Sequence, residues 1–131
     1  MVHLFILSAS CNMKQYLGID IIEIARIEKA VARWGDAFLD RVYTAAEKEM
    51  YLNRPESLAA RFAVKEAAVK ALGCAEFIYR DIEVVSEPGQ RPEIKLYGRA
   101  KAISTELGIT NLAVSLSHSR DYAVAVVSGL S

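Results

Sequence analysis

A surplus of either charge is the first thing this sequence lacks: sixteen basic residues balance sixteen acidic ones, for a net charge of zero. That balance removes any global pull toward nucleic acid or a membrane surface, so an electrostatic partner has to be met by a local patch. Cysteine is scarce. Cys11 and Cys74 are the only two, they follow no metal-ligand spacing, and two thiols make no disulfide framework, so a reducing, cytoplasmic compartment is the expectation. Long apolar runs are missing too, and no segment approaches the roughly 20 residues needed to cross a bilayer. Leu4 to Leu7 is too short for a signal-peptide core, with no basic residue before it except His3. Met13 is an alternative start that would make residues 1–12 an N-terminal extension; otherwise they form an extra edge strand. With no repeat, no low-complexity segment and no domain-scale linker, the 131 residues read as one domain. At 53% apolar and 24% charged they are long enough to bury a real core.

What is there reads as strand, helices, strands, helix, strands. Gln15 to Ile19 is a strand running into Gly18-Ile19-Asp20. Ile24, Ile27, Val31, Trp34 and Phe38 then recur at spacings of three and four, a single apolar helix stripe that Gly35 breaks or bends. Thr44 and Glu47 form a capping box for a short helix through about Leu52. Asn53-Arg54-Pro55 is a loop. Asp81 to Glu87 and Glu93 to Tyr97 pair about the turn signal Pro88-Gly89, and Arg99 to Leu107 is helical up to Gly108. Leu112 to Ser117 and Tyr122 to Ser128 close the chain as a hairpin around Ser119-Arg120-Asp121. The order predicts an α+β domain whose helices pack on one small antiparallel sheet.

The most informative stretch is the alanine-rich helix between a Ser57 cap and a Gly73 stop. Leu58, Phe62, Val69 and Leu72 share one arc, and alanines cover much of the rest, which describes a helix buried nearly all round. Yet Lys65 projects within that arc, and Glu66 stands at its edge with Lys70 one turn on. Charges are rarely buried unless they are paired or bound to something. The bland reading is a Glu66–Lys70 ion pair on a half-exposed face.

Three clusters carry possible chemistry. Asp20 stands where a strand gives way to a helix, and taken alone it reads best as a cap. Glu66 is a second carboxylate from a separate element. Two such carboxylates are the usual protein share of a Mg²⁺ site, because Mg²⁺ keeps waters and takes further ligands from substrate phosphates. Ser115 to Arg120 presents hydroxyls, the His118 imidazole and a guanidinium at a hairpin end, all able to hold phosphate. His118 has no Cys or second His nearby, which speaks against zinc. Arg26, Lys29 and Arg33 form a basic stripe, with Arg41 beyond; a solvated face is the usual explanation, but the stripe opens just after Asp20 and suits an acidic partner.

Gly18-Ile19-Asp20-Ile21-Ile22-Glu23-Ile24-Ala25-Arg26-Ile27 resembles the G-x-D motif with downstream Arg-Ile of the holo-[acyl-carrier-protein] synthase family of 4'-phosphopantetheinyl transferases. Arg61-Phe62-Ala63-Val64-Lys65-Glu66-Ala67-Ala68-Val69-Lys70-Ala71-Leu72-Gly73 resembles its second signature, R-F-A-x-K-E-A-x-x-K-A-x-G. Arg41-Val42-Tyr43-Thr44 with Glu47, and Ser117-His118-Ser119-Arg120-Asp121-Tyr122-Ala123, are similar as well. The likeness runs in the family's order from about residue 16 to the C-terminus. It implies a Mg²⁺-dependent transfer of phosphopantetheine from coenzyme A to a serine of an acyl carrier protein. Adenosine 3',5'-bisphosphate is released, and the modified carrier serves fatty acid biosynthesis.

Carried over by position, Asp20 and Glu66 are the metal ligands, and Glu66 and Lys70 the candidate catalytic residues. Arg61, Lys65, Lys70, Ser117 and His118 bind coenzyme A, and Arg26, with Lys29 and Arg33 of the same stripe, meets the carrier protein. The family's short members imply a homotrimer in which Ser117 and His118 serve a neighbour's Asp20 and Glu66. The general base is left open between Glu66 and a water held by the metal and relaying to a carboxylate. One departure stands out: where the family has a glycine-rich T-G-x-G loop, this chain has a shorter Cys74-Ala75-Glu76-Phe77-Ile78-Tyr79-Arg80. The competing readings are a non-catalytic trimeric module that binds coenzyme A or a carrier protein, and a structural domain with ordinary ion pairs.

Overall fold

Strand β1 runs from Gln15 to Glu23 in the computed structural model, which describes residues 13–131. The expectations placed on residues 1–12 and on Cys11 lie outside the described residues. β1 is longer than the sequence reading allowed, because Ile19, Ile21 and Ile22 sustain an extended, alternating pattern past Gly18. Asp20 therefore lies inside the strand, opposite Ala125, and caps nothing. Helix α1 (Ile24–Trp34) starts without a side-chain cap; the Ile24 amide donates to the Asp121 carbonyl at 2.9 Å instead. Gly35, at φ 52°, ends α1 as expected, and α2 (Asp36–Val42) follows at once. That turn leaves Trp34 56% exposed rather than in the apolar stripe.

α3 (Ala45–Tyr51) carries the complete Thr44/Glu47 capping box. α4 (Pro55–Leu72) begins two residues before Ser57, because Pro55 suits the first helical turn, so Ser57 is a buried helix residue and not the cap. A 3₁₀ turn (Tyr79–Asp81) leads into β2 (Ile82–Val85) and β3 (Glu93–Leu96); α5 (Gly98–Glu106), β4 (Leu112–His118) and β5 (Tyr122–Leu130) complete the chain. The strands form two antiparallel sheets rather than the expected one. β5 lies between β1 and β4 in a three-stranded sheet, and β2 and β3 make a separate hairpin. α5 intervenes between β3 and β4, so these strands lie side by side without pairing. The fold is α+β.

α4 crosses the inner face of β1 and β5 and forms the centre of the core. Small residues make this possible. Ala59, Ala63, Ala67 and Ala68 are fully buried, and Ala123, Ala125 and Val127 of β5 are buried to within one per cent. Small side chains on both surfaces let backbone approach backbone at high packing density. Phe62 and Val69, expected in the core arc, lie instead at its half-buried margin. Gly18 marks the closest approach: a Cβ there would stand 1.8 Å from the Ala67 carbonyl oxygen and 2.9 Å from the Ala71 nitrogen. Only glycine lets β1 run this close to α4, and Asp20 follows two residues later on the same face.

Lys65 is fully buried, and so is Glu47 at 2% exposure. The Lys65 ammonium donates to Glu47 Oε1 at 2.8 Å, to the Ile82 carbonyl at 2.5 Å and to the Tyr79 carbonyl at 3.2 Å. Glu47 accepts in addition from the Thr44 amide at 2.9 Å and the Val84 amide at 2.9 Å. Burial pulls the Lys65 pKa below the ordinary lysine value, and the Glu47 carboxylate opposes that pull. One ion pair thus ties α3, α4, the 3₁₀ turn and β2 together.

Removing either partner leaves the other group buried and uncompensated, at a cost of about 3–5 kcal/mol. Glu47→Gln and Lys65→Met should each lose stability on that scale in urea unfolding. The double variant should lose clearly less than the two losses combined. Additive losses would mean that the two side chains are not energetically coupled.

Candidate active site

Asp20, Glu66 and Lys70 come together because α4 lies on the inner face of β1. The Lys70 ammonium donates to Asp20 Oδ1 at 3.1 Å and to the Ile19 carbonyl at 3.0 Å. The Asp20 side chain is 18% exposed and that of Lys70 55%, so the pair sits at an opening. Glu66, one helical turn from Lys70, does not pair with it. Its Oε1 accepts a 2.6 Å hydrogen bond from the Tyr79 hydroxyl. Burial, then the Glu66 hydrogen bond, push the Tyr79 phenol up to about 12; Asp20 lies near enough to add to the rise and Arg41 near enough to oppose it. The arrangement is two carboxylates from different elements, Asp20 paired with an ammonium and Glu66 with a phenol that Asp20 also influences.

The aromatic ring of Tyr79 is held on two sides. It stacks on Phe62 at 5.5 Å and meets Phe77 edge-on at 4.8 Å. The short segment after Gly73 brings it there. Gly73 adopts φ 66°, the Cys74 amide donates to the Val69 carbonyl at 3.2 Å, and the buried Cys74 thiol donates to the Glu76 carbonyl at 3.1 Å. No sequence motif marks Tyr79 as functional. Its only signal was an aromatic pair, Phe77 and Tyr79, in a loop where no periodicity indicates direction.

A second group forms across the sheet. Arg61, Ser117 and His118 line one open pocket with Ser57, Ser86 and Pro92. Arg61 lies over the Tyr51 ring at 4.0 Å and donates to the Tyr51 hydroxyl at 2.9 Å and to Ser86 Oγ at 3.1 Å, while its buried Nε has no partner among the described residues. Ser117 and His118 end β4, two strands away from β1, so roughly 10 Å of sheet separates them from the Asp20 strand. Within one chain Ser117 and His118 do not join Asp20.

Lys65 differs from its expected role. Expected among the coenzyme A ligands, it is sealed in the core with three hydrogen bonds for its three protons, so it offers nothing to a ligand. Arg26, Lys29 and Arg33 are exposed on α1, with the Arg33 guanidinium 5.0 Å from the centre of the Trp34 ring.

Among the described residues no three His, Cys, Asp or Glu side chains gather as a metal cluster. Asp20 and Glu66 are nevertheless a donor set that fits Mg²⁺, which needs one or two carboxylates when phosphates and water complete its shell. It suits zinc poorly, because zinc sites draw most of their ligands from His and Cys and the pair includes neither.

Known proteins share this architecture. Residues 16–127 match the model of the 4'-phosphopantetheinyl transferase superfamily. A holo-[acyl-carrier-protein] synthase of Dehalococcoides mccartyi is 50% identical over 113 residues, covering 86% of this chain and 95% of that protein. The crystal structure of the Helicobacter pylori holo-[acyl-carrier-protein] synthase in complex with coenzyme A superposes with a TM-score of 0.76 at 37% identity, over 85% of this chain and 96% of that one. A holo-(acyl-carrier-protein) synthase from Bacillus anthracis, in complex with CoA (3',5'-ADP), gives 0.70 at 33% identity, over 88% and 96%. Identity of this order across nearly the whole of both chains makes this protein an enzyme of the holo-[acyl-carrier-protein] synthase family of 4'-phosphopantetheinyl transferases.

Proposed function

We propose that this enzyme transfers 4'-phosphopantetheine from coenzyme A to a serine of an apo acyl carrier protein, with Asp20 and Glu66 holding Mg²⁺. The observation that carries the reading is the Asp20–Lys70 pair between β1 and α4, with the Tyr79–Glu66 pair one helical turn along α4 and its phenol within the influence of Asp20. The carrier's serine oxygen forms a bond to the phosphorus bearing the pantetheine arm. The bond from that phosphorus to the bridging oxygen breaks, and adenosine 3',5'-bisphosphate departs. Mg²⁺ bound there supplies Lewis-acid neutralisation of the pyrophosphate. Lys70, more than half exposed, can exchange its contact with Asp20 for a phosphate oxygen as charge builds on the leaving group. The serine proton passes to a base, for which Glu66 is one candidate and a water relaying to a carboxylate the other. Arg61, with its unpartnered Nε, and the neighbouring Ser117 and His118 offer donors to a more distant phosphate. The product carrier would serve fatty acid biosynthesis, and the buried free thiol of Cys74 suits a cytoplasmic setting. The assembled carboxylates and lysine speak against a non-catalytic binding module.

Two further parts of the proposal concern partners. Arg26, Lys29 and Arg33 form the surface for the acidic carrier protein. The enzyme also works as a homotrimer, which would bring one subunit's Ser117 and His118 to another's Asp20 and Glu66. The support for assembly is the outer face of the three-stranded sheet, where Leu17, Ile19 and Ile21 of β1 are each at least 60% exposed beside Tyr122, Val126 and Leu130 of β5. An apolar face of that kind calls for a protein cover.

Incubating an apo carrier protein with coenzyme A, Mg²⁺ and the enzyme should add the mass of one phosphopantetheine. Asp20→Ala and Glu66→Ala should stay folded by circular dichroism and lose most of the transfer, by about 100-fold or more, since each deletes a ligand that Mg²⁺ cannot replace. Full activity in both would sink the metal assignment.

Opposite charges across an encounter surface act mostly on association and are screened over about 8 Å at physiological ionic strength. Arg26→Glu should therefore raise the carrier protein's Michaelis constant about tenfold with little change for coenzyme A, and added salt should narrow the gap to the parent. A change confined to coenzyme A would assign the stripe elsewhere.

In sedimentation equilibrium the parent should run at three times its 14.5 kDa chain mass, and Ile21→Glu should run as a single chain. A parent that sediments as a monomer refutes the assembly.

A further inference from the structure

We infer that Tyr79 is a positioning residue for the reaction: its hydroxyl holds one oxygen of Glu66 so that the other is presented to the metal. This rests on the Mg²⁺ reading above. The Tyr79 hydroxyl donates to Glu66 Oε1 at 2.6 Å, and among the described residues no donor reaches Oε2. A carboxylate on a helix can swing about its side-chain torsions, and a single short bond to one oxygen removes most of that freedom. The donor must itself be immobile, and Tyr79 is fixed at both ends. Its ring lies between Phe62 and Phe77, and its carbonyl accepts from the Lys65 ammonium at 3.2 Å. The Asp81 amide, donating to the Ile78 carbonyl at 2.9 Å, closes the turn around it. Lys65 and Glu66 are neighbours on α4, about 100° apart around its axis, the first buried in the core and the second half-buried at its margin. Tyr79 touches both, through its backbone and its hydroxyl.

The segment that delivers Tyr79 is the one that departs from the family's glycine-rich loop. Five residues, 74–78, separate Gly73 from Tyr79, and this short path sets the phenol over α4 within reach of Glu66. Outer partners that orient a metal-ligating carboxylate typically change metal affinity 10- to 100-fold when removed.

The decisive variant is Tyr79→Phe, which keeps the ring between Phe62 and Phe77 and deletes only the hydroxyl. Mn²⁺, standing in for Mg²⁺, is titrated by water-proton relaxation into parent, Tyr79→Phe and Glu66→Ala, each with coenzyme A. Coenzyme A affinity without metal and the thermal midpoint are measured alongside. The expected result is about tenfold weaker Mn²⁺ binding in Tyr79→Phe, with metal-free coenzyme A affinity unchanged and a midpoint within about 5 °C of the parent. Parental Mn²⁺ affinity in Tyr79→Phe overturns the inference and leaves the metal reading intact. So does a joint loss of metal binding, coenzyme A binding and thermal stability, which marks the hydroxyl as purely structural. A parent whose Mn²⁺ binding does not depend on Glu66 overturns both.

Discussion

The Glu47–Lys65 ion pair is the contact on which the rest of this structure depends. Four elements from three separate parts of the sequence meet at its atoms: the start of α3 through the Thr44 amide, α4 through Lys65 itself, the 3₁₀ turn through the Tyr79 carbonyl, and β2 through Ile82 and Val84. Hydrophobic burial alone would let these elements slide over one another, because packing of alanine and valine is weakly directional. The pair supplies direction. Desolvating two charges is costly, and the cost is offset only when every donor and acceptor is met in one arrangement. Any slip of α3 or β2 along α4 leaves a buried charge unmatched.

The functional groups inherit that rigidity. Lys65 and Glu66 are successive residues on one helix, so fixing the first fixes the direction of the second. Gly18 performs the equivalent task for β1: the absence of a side chain brings the strand against the Ala67 carbonyl, and Asp20 is carried to the Lys70 ammonium. The opening is thus assembled from a strand and a helix whose separation is set by sterics, not by a flexible loop. Sites built on regular elements hold their geometry more tightly than sites built on loops.

Much of this was readable from residue order, and the exceptions have physical causes. Local signals held where the chemistry is local: the Thr44/Glu47 capping box, the break at Gly35, the Pro88-Gly89 turn and the closing hairpin. The sequence pattern cuts the Asp20 strand short, because a polar residue after a glycine resembles a helix entry. In fact Ile21 and Ile22 continue the pairing with β5. The family likeness makes Lys65 a coenzyme A ligand, while its actual partner, Glu47, lies 18 residues away, where no helical spacing reveals it. The division into two sheets depends on where α5 packs, which short-range patterns do not encode. Tyr79 is the clearest case: it is an aromatic in an irregular segment, given its role wholly by what it meets in space.

β1 presents different residues on its two faces, and alternation along a strand is strict. Gly18, Asp20 and Ile22 look inward to α4, while Leu17, Ile19 and Ile21 look outward. Sliding the strand by one residue would exchange the two sets at once, driving an isoleucine against the Ala67 carbonyl and turning Asp20 to the outer surface. The register of β1 is therefore set at its inner face, where Gly18 and Asp20 each have one place to stand. For that reason a single-residue insertion or deletion between residues 15 and 20 is a graver lesion than most point substitutions there, since no compensating change on one face can repair the other.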